Sequence, residues 1–472
     1  MKQYFRFNTL TIITLLITVT LFITGTNSFS APIEESEALD VADIWYAREL
    51  NSSRIKLEAA ARADKLNNIT DRQVFYLVDG GELLDSAPKD KPVLAYVINY
   101  NPSGFVVVAG DDRILPIMAF DAGTAFRWDD PDRNFLRHFL QKNIPARWQH
   151  LQAKTRSTSV VEKHPMWNYL RAKKAEGKSP DTVSPDEVPM DTLQWTTANW
   201  NQGWPYNTTV LANNGNINDI PTGCTATAMA IKMRYHSWPA TGNGSHSYND
   251  NKGSVQFSHA VNFGAQSYDW ASMPTTNLSA ANTQVANLMY HCGVAVDMDY
   301  EVGGSGAWLS LTAMDTNYRY KGTIDLRSNH TAPMMESILA GLPVILSSSN
   351  HTVVADGYRD DQSPYFHINA GWGGSSNGWY NLDLIPGDNT VLRSYPYSSP
   401  SNYIYANLTW GGVETGTLQN PYNTISEGVY ATPDNGQLWI KGGSYGGPGN
   451  APVLFSRAMT IHPYQGSVTI GQ

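Results

Sequence analysis

A thiol, an imidazole and a carboxamide, at Cys224, His351 and Asn369, are the groups of this 472-residue chain that could together carry out acyl-transfer chemistry. The thiol sits in Asp219–Pro239. There Ala226, Met229, Ala230 and Met233 fall at i, i+3, i+4 and i+7, a spacing that predicts an amphipathic helix from about Thr225 with its small apolar face inward. Pro239 is expected to end it. Pro221, Thr222 and Gly223 are turn and cap residues, which places Cys224 in or just before the first helical turn. Unpaired N–H groups and the positive end of the helix dipole favour an anion there, so the thiol is biased towards the attacking thiolate. The competing reading is a buried structural cysteine, since free cysteine packs like a small hydrophobe.

A cysteine nucleophile needs a base, a group to orient that base, and donors for the developing oxyanion. His351 opens one β-rich run and Asn369 closes a neighbouring one, so a hydrogen bond from the asparagine side chain to the imidazole is expected across adjacent strands. Trp372, within Gly371–Gly374, could shield that bond from water. Gln202, within Trp200–Asn207, is expected to supply a side-chain N–H beside the backbone N–H of Cys224. The roles follow: Cys224 nucleophile, His351 general base and then acid, Asn369 orienter, Gln202 oxyanion donor.

Other candidates have plainer readings. Cys292 ends an apolar helical stretch and is expected to be buried. His236 and His291 sit beside aromatics at helix ends. His367, two residues from Asn369 on the same strand face, is the rival base. Asp297 and Asp299 lack a complete calcium loop around them. Gly303–Gly306 is not followed by the Lys-Ser/Thr of a phosphate loop and is expected to form a rim of the substrate cleft.

Elements to hold these groups can be read in order. Lys2 and Arg6 precede an uncharged apolar run, Leu10–Ile23, and small residues follow, so residues 1–30 read as an export signal cleaved after Ser30. The run is shorter than the about 20 residues of a spanning helix. Residues 31–162 read as an α+β region: one or two helices over Glu35–Asn67, short strands from Gln73 to Ala109, and a helix over Phe135–Leu151. Residues 163–189 are charged and proline-dotted, the mark of an exposed, cleavable linker. Residues 190–410 carry helices before an antiparallel meander, so a helical half with the thiol faces a sheet half with the histidine. Residues 411–472 are Gly-rich with short β-runs. They resemble the opening coil of a parallel β-helix.

Composition narrows the function classes. Apolar content of 42% with 16% charged residues describes a globular chain. A net charge of −9 argues against a nucleic-acid partner. Two cysteines make no disulfide framework, and no cofactor or metal is indicated.

Three segments together carry a resemblance: Gln202–Asn207, Gly223–Ala228 leading to Tyr235–Pro239, and His367–Gly374. With Tyr268–Pro274, Cys292–Tyr300 and Gly104–Pro116, they resemble the streptopain family of secreted papain-fold cysteine peptidases and its inhibitory pro-domain, over roughly Ala38–Leu384. The resemblance implies an α+β papain-like fold and a zymogen. In such a zymogen the peptidase is held inactive by its own first region, released by cleavage in the linker, and acts on protein or peptide substrates outside the cell or at its surface. It places the family's nucleophile on Cys224, its histidine on His351, its asparagine on Asn369, its shielding tryptophan on Trp372 and its oxyanion glutamine on Gln202, with Gly223 supporting the thiol. Two positions depart from the pattern. Ala370 stands where a second tryptophan is usual, implying an open wall beside the imidazole, and Asn350 stands where a small residue usually precedes the histidine. Two other readings stay open: an adhesion protein on an inactive papain-like scaffold, and an acyltransferase or amidase sharing the same groups.

Overall fold

The computed structural model describes residues 32–51, 59–124, 126, 136, 139–157, 163–175, 192–326, 331–339, 342–348, 351–361, 363–382, 390–396, 403–416, 420–434, 436–447, 450, 453 and 458–471. The expected export signal at 1–30 and Asn350 lie outside them.

The first region opens with α1 (Glu35–Asn51) and α2 (Ala59–Asn67), then an antiparallel run of β1 (Arg72–Val78), β2 (Glu82–Leu84), β3 (Val93–Tyr100), β4 (Phe105–Ala109) and β5 (Ile117–Asp121). All five residues of β4, Phe-Val-Val-Val-Ala, are buried. A strand covered on both faces has no polar side to alternate with. After one π-helical turn over Phe139–Asn143 come α3 (Ile144–Ser157) and α4 (Pro165–Ala175).

Helix α4 corrects the expected linker. Its basic residues meet carboxylates of the first region: Arg171 pairs with Glu37 at 2.6 Å, the exposed Lys174 with Asp40, and Lys163 just before it with Asp112 at 2.5 Å. Trp167 is fully buried, its indole N–H donating to the Ile114 carbonyl at 2.8 Å. Proline suits the first turn of a helix, where its missing N–H has no intrahelical role. The rest of the expected linker, 176–189, lies outside the described residues.

The second region supplies β6 (Thr192–Gln194), α5 (Thr208–Asn213), α6 (Cys224–His236), the hairpin β7 (Ser245–Asp250) and β8 (Phe257–Asn262), α7 (Thr283–Ala295), α8 (Leu311–Tyr318), β9 (Tyr320–Leu326) and α9 (Thr331–Leu339). The meander follows as β10 (Val344–Ser347), β11 (Thr352–Asp360), β12 (Pro364–Asn369) and β13 (Gly378–Tyr380), then β14 (Thr390–Pro396). Consecutive strands from β10 to β13 pair antiparallel. A helical half facing an antiparallel sheet half is the α+β papain-like arrangement.

The two regions share one sheet. Its order is β2-β1-β3-β4-β5-β13-β12-β11-β10-β14-β9, with β6 also on β11, and the seam is the antiparallel pairing of Phe120 with Trp379 and Ala119 with Tyr380. One apolar core crosses the seam, joining Trp45, Phe105 and Phe120 to Tyr365, Phe366 and Tyr380. Burying each such side chain contributes roughly 1.5–3 kcal/mol. Beside that core lies a buried charge quartet. Glu49 meets Arg359 at 2.7 Å and Arg48 at 3.0 Å, and Asp361 meets Arg48 at 2.5 Å and Arg359 at 2.6 Å. Arg48 stacks 3.6 Å from the Trp45 ring.

A second core surrounds α6 and α7 and holds Met229, Met289 and Cys292. The tail has its own core, formed by α10 (Ile425–Ala431) on a parallel sheet of β15 (Tyr403–Ala406), β16 (Gly436–Tyr445) and β17 (Met459–Ile470). Parallel stacking agrees with the β-helix-like expectation. Because β15 starts at Tyr403, this sheet begins before residue 411. No helix among the described residues is long and apolar enough to cross a membrane.

Candidate active site

Helix α6 begins at Cys224, and Gly223 makes that start possible. Its φ is +85°, and a Cβ there would lie 2.6 Å from Met298 Sδ and 3.2 Å from the Ser305 carbonyl oxygen. Only glycine fits such a turn without strain. The helix differs from expectation in being buried from Thr225 through Met233 instead of on one face. Small residues on several sides let it pass through the middle of its half, with Thr225 Oγ1 donating to the Ala307 carbonyl at 2.8 Å and lying 3.1 Å from Thr352 Oγ1. These contacts bring the helix start, the 305–307 segment and the start of β11 to one place.

His351 directly precedes β11. Its Nε2 lies 3.0 Å from the Ala370 carbonyl oxygen. A carbonyl only accepts, so Nε2 carries the proton and the hydrogen bond to the Cys224 thiol is made by Nδ1. Trp372 stacks on the imidazole, with centroids 5.7 Å apart and planes 10° from parallel. Burial pushes the Cys224 thiol up, but the hydrogen bond and charge of His351, with the Thr352 backbone and hydroxyl, outweigh it and lower the thiol to about 7. Burial likewise pushes His351 down, while the Cys224 hydrogen bond and charge and the Ala370 carbonyl raise it above its ordinary value. The pair therefore favours thiolate and imidazolium.

Asn369 is placed differently from expectation. Its Nδ2 donates to Thr197 Oγ1 and to the Ala198 carbonyl, both at 2.9 Å, and its Oδ1 accepts the Gly371 N–H at 3.1 Å. With the amide engaged on all sides, the imidazole takes the Ala370 carbonyl instead. Ala370 is fully buried, so the wall expected to be open is closed by packing.

Gln202 is 3% exposed and tied close to the thiol, since the Thr222 N–H donates to its carbonyl at 2.9 Å. Its Nε2 is buried and has no partner among the described residues. The 303–306 segment borders the site, Ser305 Oγ donating to the Pro221 carbonyl at 2.8 Å.

The rivals fall elsewhere. Cys292 is buried against Met233 Sδ at 3.7 Å, and burial pushes its thiol well up. His367 Nδ1 is bound to Asp356 at 2.5 Å, and the imidazole hydrogen-bonded to the Cys224 thiol is His351. Burial lowers the pKa of both His236 and His291, the latter to about 4. Asp297 holds His246 at 2.6 Å, and Asp299 pairs through its backbone with Gly306. Sequence reasoning missed Thr352, Thr197, Asp356 and the Ala370 carbonyl. Backbone carbonyls and strand-to-strand hydroxyls carry no signature in residue type.

Residues 200–380 match the model of the Peptidase C10 family. That match spans the stretch holding Cys224, His351 and Asn369, which is similar to C10 peptidase domains. Residues 30–144 match the Spi protease inhibitor family, so the chain joins an inhibitor domain to a cysteine-type endopeptidase domain, the arrangement of a zymogen. Streptopain of Streptococcus pyogenes is 27% identical over 336 residues, which cover 65% of this chain and 76% of that protein. The thiol protease/hemagglutinin PrtT of Porphyromonas gingivalis is 26% identical over 385 residues, 75% of this chain and 39% of that protein. Among solved structures, a fragment of Prevotella intermedia prointerpain A overlaps 66% of this chain and 98% of its own chain, at 24% identity and a TM-score of 0.48.

Proposed function

We propose that the mature enzyme hydrolyses peptide bonds of proteins through a thioester on Cys224. The observation that carries this reading is the polarity of His351, whose Nε2–H is spent on Ala370 so that Nδ1 is the basic atom on the sulfur. The thiolate attacks the scissile carbonyl carbon, and the oxygen takes the negative charge beside Gln202 Nε2 and the Cys224 N–H. As the intermediate collapses, the C–N bond breaks and the imidazolium gives its proton to the leaving amine. Water then gives a proton to His351 and attacks the thioester, releasing the acid and restoring the pair. Trp372 keeps solvent off the imidazole, and Asn369 acts through the backbone.

In this reading the inhibitor domain stays docked along the β5–β13 seam and the charge quartet, touching the 370–377 loop through Thr124 Oγ1, which donates to the Asn377 carbonyl at 2.8 Å. Release requires cleavage within 176–191 and loss of that seam. Export follows from the charged, then apolar, N-terminal sequence. Amino-terminal sequencing of protein recovered from culture medium should begin just after Ser30, and a start at Met1 would refute export by a cleaved signal.

The test of activity compares residues 31–472 as wild type and as Cys224→Ala, both under a thiol reductant. Wild type should shorten within 176–191 and digest casein while Cys224→Ala does neither. If wild type stays silent even after an added protease cuts that segment, the hydrolase reading fails.

A further inference from the structure

We infer that Thr197 and Asp356 are positioning residues for His351, forming with His367 and Asn369 a buried relay that fixes the peptide plane on which the imidazole rests. The inference rests on the reading of Cys224 and His351 as the reacting pair. Its starting point is that the carbonyl holding His351 Nε2 and the N–H held by Asn369 Oδ1 are two ends of one peptide group, Ala370–Gly371. Turning that plane swings the carbonyl off the imidazole, so whatever fixes Asn369 fixes the histidine.

The hydrogen bonds behind Asn369 run in one direction. Thr197 Oγ1 donates to Asp356 Oδ2 at 2.5 Å, so its single hydroxyl proton is spent there. The oxygen's remaining lone pair then accepts Asn369 Nδ2–H at 2.9 Å, the second amide proton goes to the Ala198 carbonyl, and Oδ1 is left facing Gly371 N–H. A flipped amide would set N–H against N–H at that position. The carboxylate is itself held by His367 Nδ1 at 2.5 Å. On the other side of the plane, Ala370 N–H donates to Asn377 Oδ1 at 2.9 Å.

Burial gives the relay its stiffness. Thr197, Asp356, His367 and Asn369 are each at most 7% exposed, so water does not replace a missing member cheaply. The charged groups facing His367 are Asp356 on β11 and Asp121 on β5 of the inhibitor domain, with the Trp379 ring 5.3 Å away. The ionisable group facing His351 is Cys224. Neither His367 nor Asp356 touches the sulfur. Their effect reaches it only through the peptide plane.

The test uses the full chain with Thr197→Val, which removes the hydroxyl at nearly constant shape, and Thr197→Ser, which keeps it. Casein hydrolysis by the processed enzymes and the pH dependence of Cys224 alkylation by iodoacetamide are both read. Thr197→Val should lower kcat roughly 10- to 100-fold with KM changed less than about twofold, and should move the alkylation midpoint to higher pH. Thr197→Ser should recover to within about threefold of wild type. A Thr197→Val enzyme with unchanged kcat and alkylation profile overturns the relay, as does equal loss in Val and Ser variants. Asp356→Ala removes the acceptor independently and should shift the alkylation midpoint the same way; an unshifted midpoint there also overturns it. Casein hydrolysis by Cys224→Ala would instead defeat the underlying reading of the pair.

Discussion

The seam with the inhibitor domain and the cleft around Cys224 are both buried polar regions on one sheet, yet they are finished differently. At the seam every carboxylate of the quartet meets two guanidinium groups, and charge balances to zero over Arg48, Glu49, Arg359 and Asp361. In the cleft, Gln202 Nε2 and Trp372 Nε1 have no partner among the described residues, and the thiol is hydrogen-bonded to His351. Paired charges in equal number hold two regions together at the seam, although Arg48 Nε and Arg359 Nε there are buried with no partner among the described residues. In the cleft the unpaired group is a neutral amide, whose desolvation penalty an arriving substrate oxygen relieves.

Breaking the cleft should have the largest effect. His351→Ala is expected to lower kcat at least about 10⁴-fold while the melting temperature stays close to wild type, measured on enzyme processed by an added protease. Breaking the seam comes next. Glu49→Ala leaves two buried guanidinium groups on one carboxylate, which should weaken docking by about 3–5 kcal/mol and show as early casein hydrolysis by the uncleaved zymogen. Latency equal to wild type would mean the quartet does not hold the domain. Third is Gln202→Ala, which should lower kcat about 10²- to 10³-fold with little change in KM. Last is an exposed ion pair as a control, Lys91 with Glu82, each about half exposed. Lys91→Ala should change the urea midpoint by less than about 1 kcal/mol equivalent.

The seam also has a pH signature. Burial pushes Glu49 up, but Arg359 and Arg48 outweigh it and hold the carboxyl at about 2, below the ordinary 4.5. A depressed carboxyl stabilises docking fully above its unfolded value and loses that contribution as pH falls towards 2. Mild acidification to pH 5 should therefore not free the inhibitor domain, and size-exclusion chromatography of the linker-cleaved complex at pH 5 and pH 7 should give one peak.

Much of the site was legible in the chain because it is written in local signals. Gly223 and Cys224 announce a helix start, and the β-runs around His351 and Asn369 announce adjacent strands, which the Val354–Asn369 register bears out. What stayed hidden depends on partners distant in sequence. Arg171, Lys173 and Lys174 looked like solvated linker because Glu37 and Asp40, two of the carboxylates that meet α4, lie more than a hundred residues earlier. The hydrogen bond expected from Asn369 to His351 was displaced by Thr197, whose role no spacing rule marks. Nor does the pattern of either region reveal that β5 and β13 join into one sheet, since an edge strand and a paired strand read alike.

The most direct measurement is the rate of Cys224 alkylation against pH in wild type and His351→Ala. The pairing described here requires a wild-type midpoint at about pH 7, with the variant shifted up towards the ordinary thiol value of 9.0. Superimposable curves would contradict it, because the thiolate would then owe nothing to the histidine.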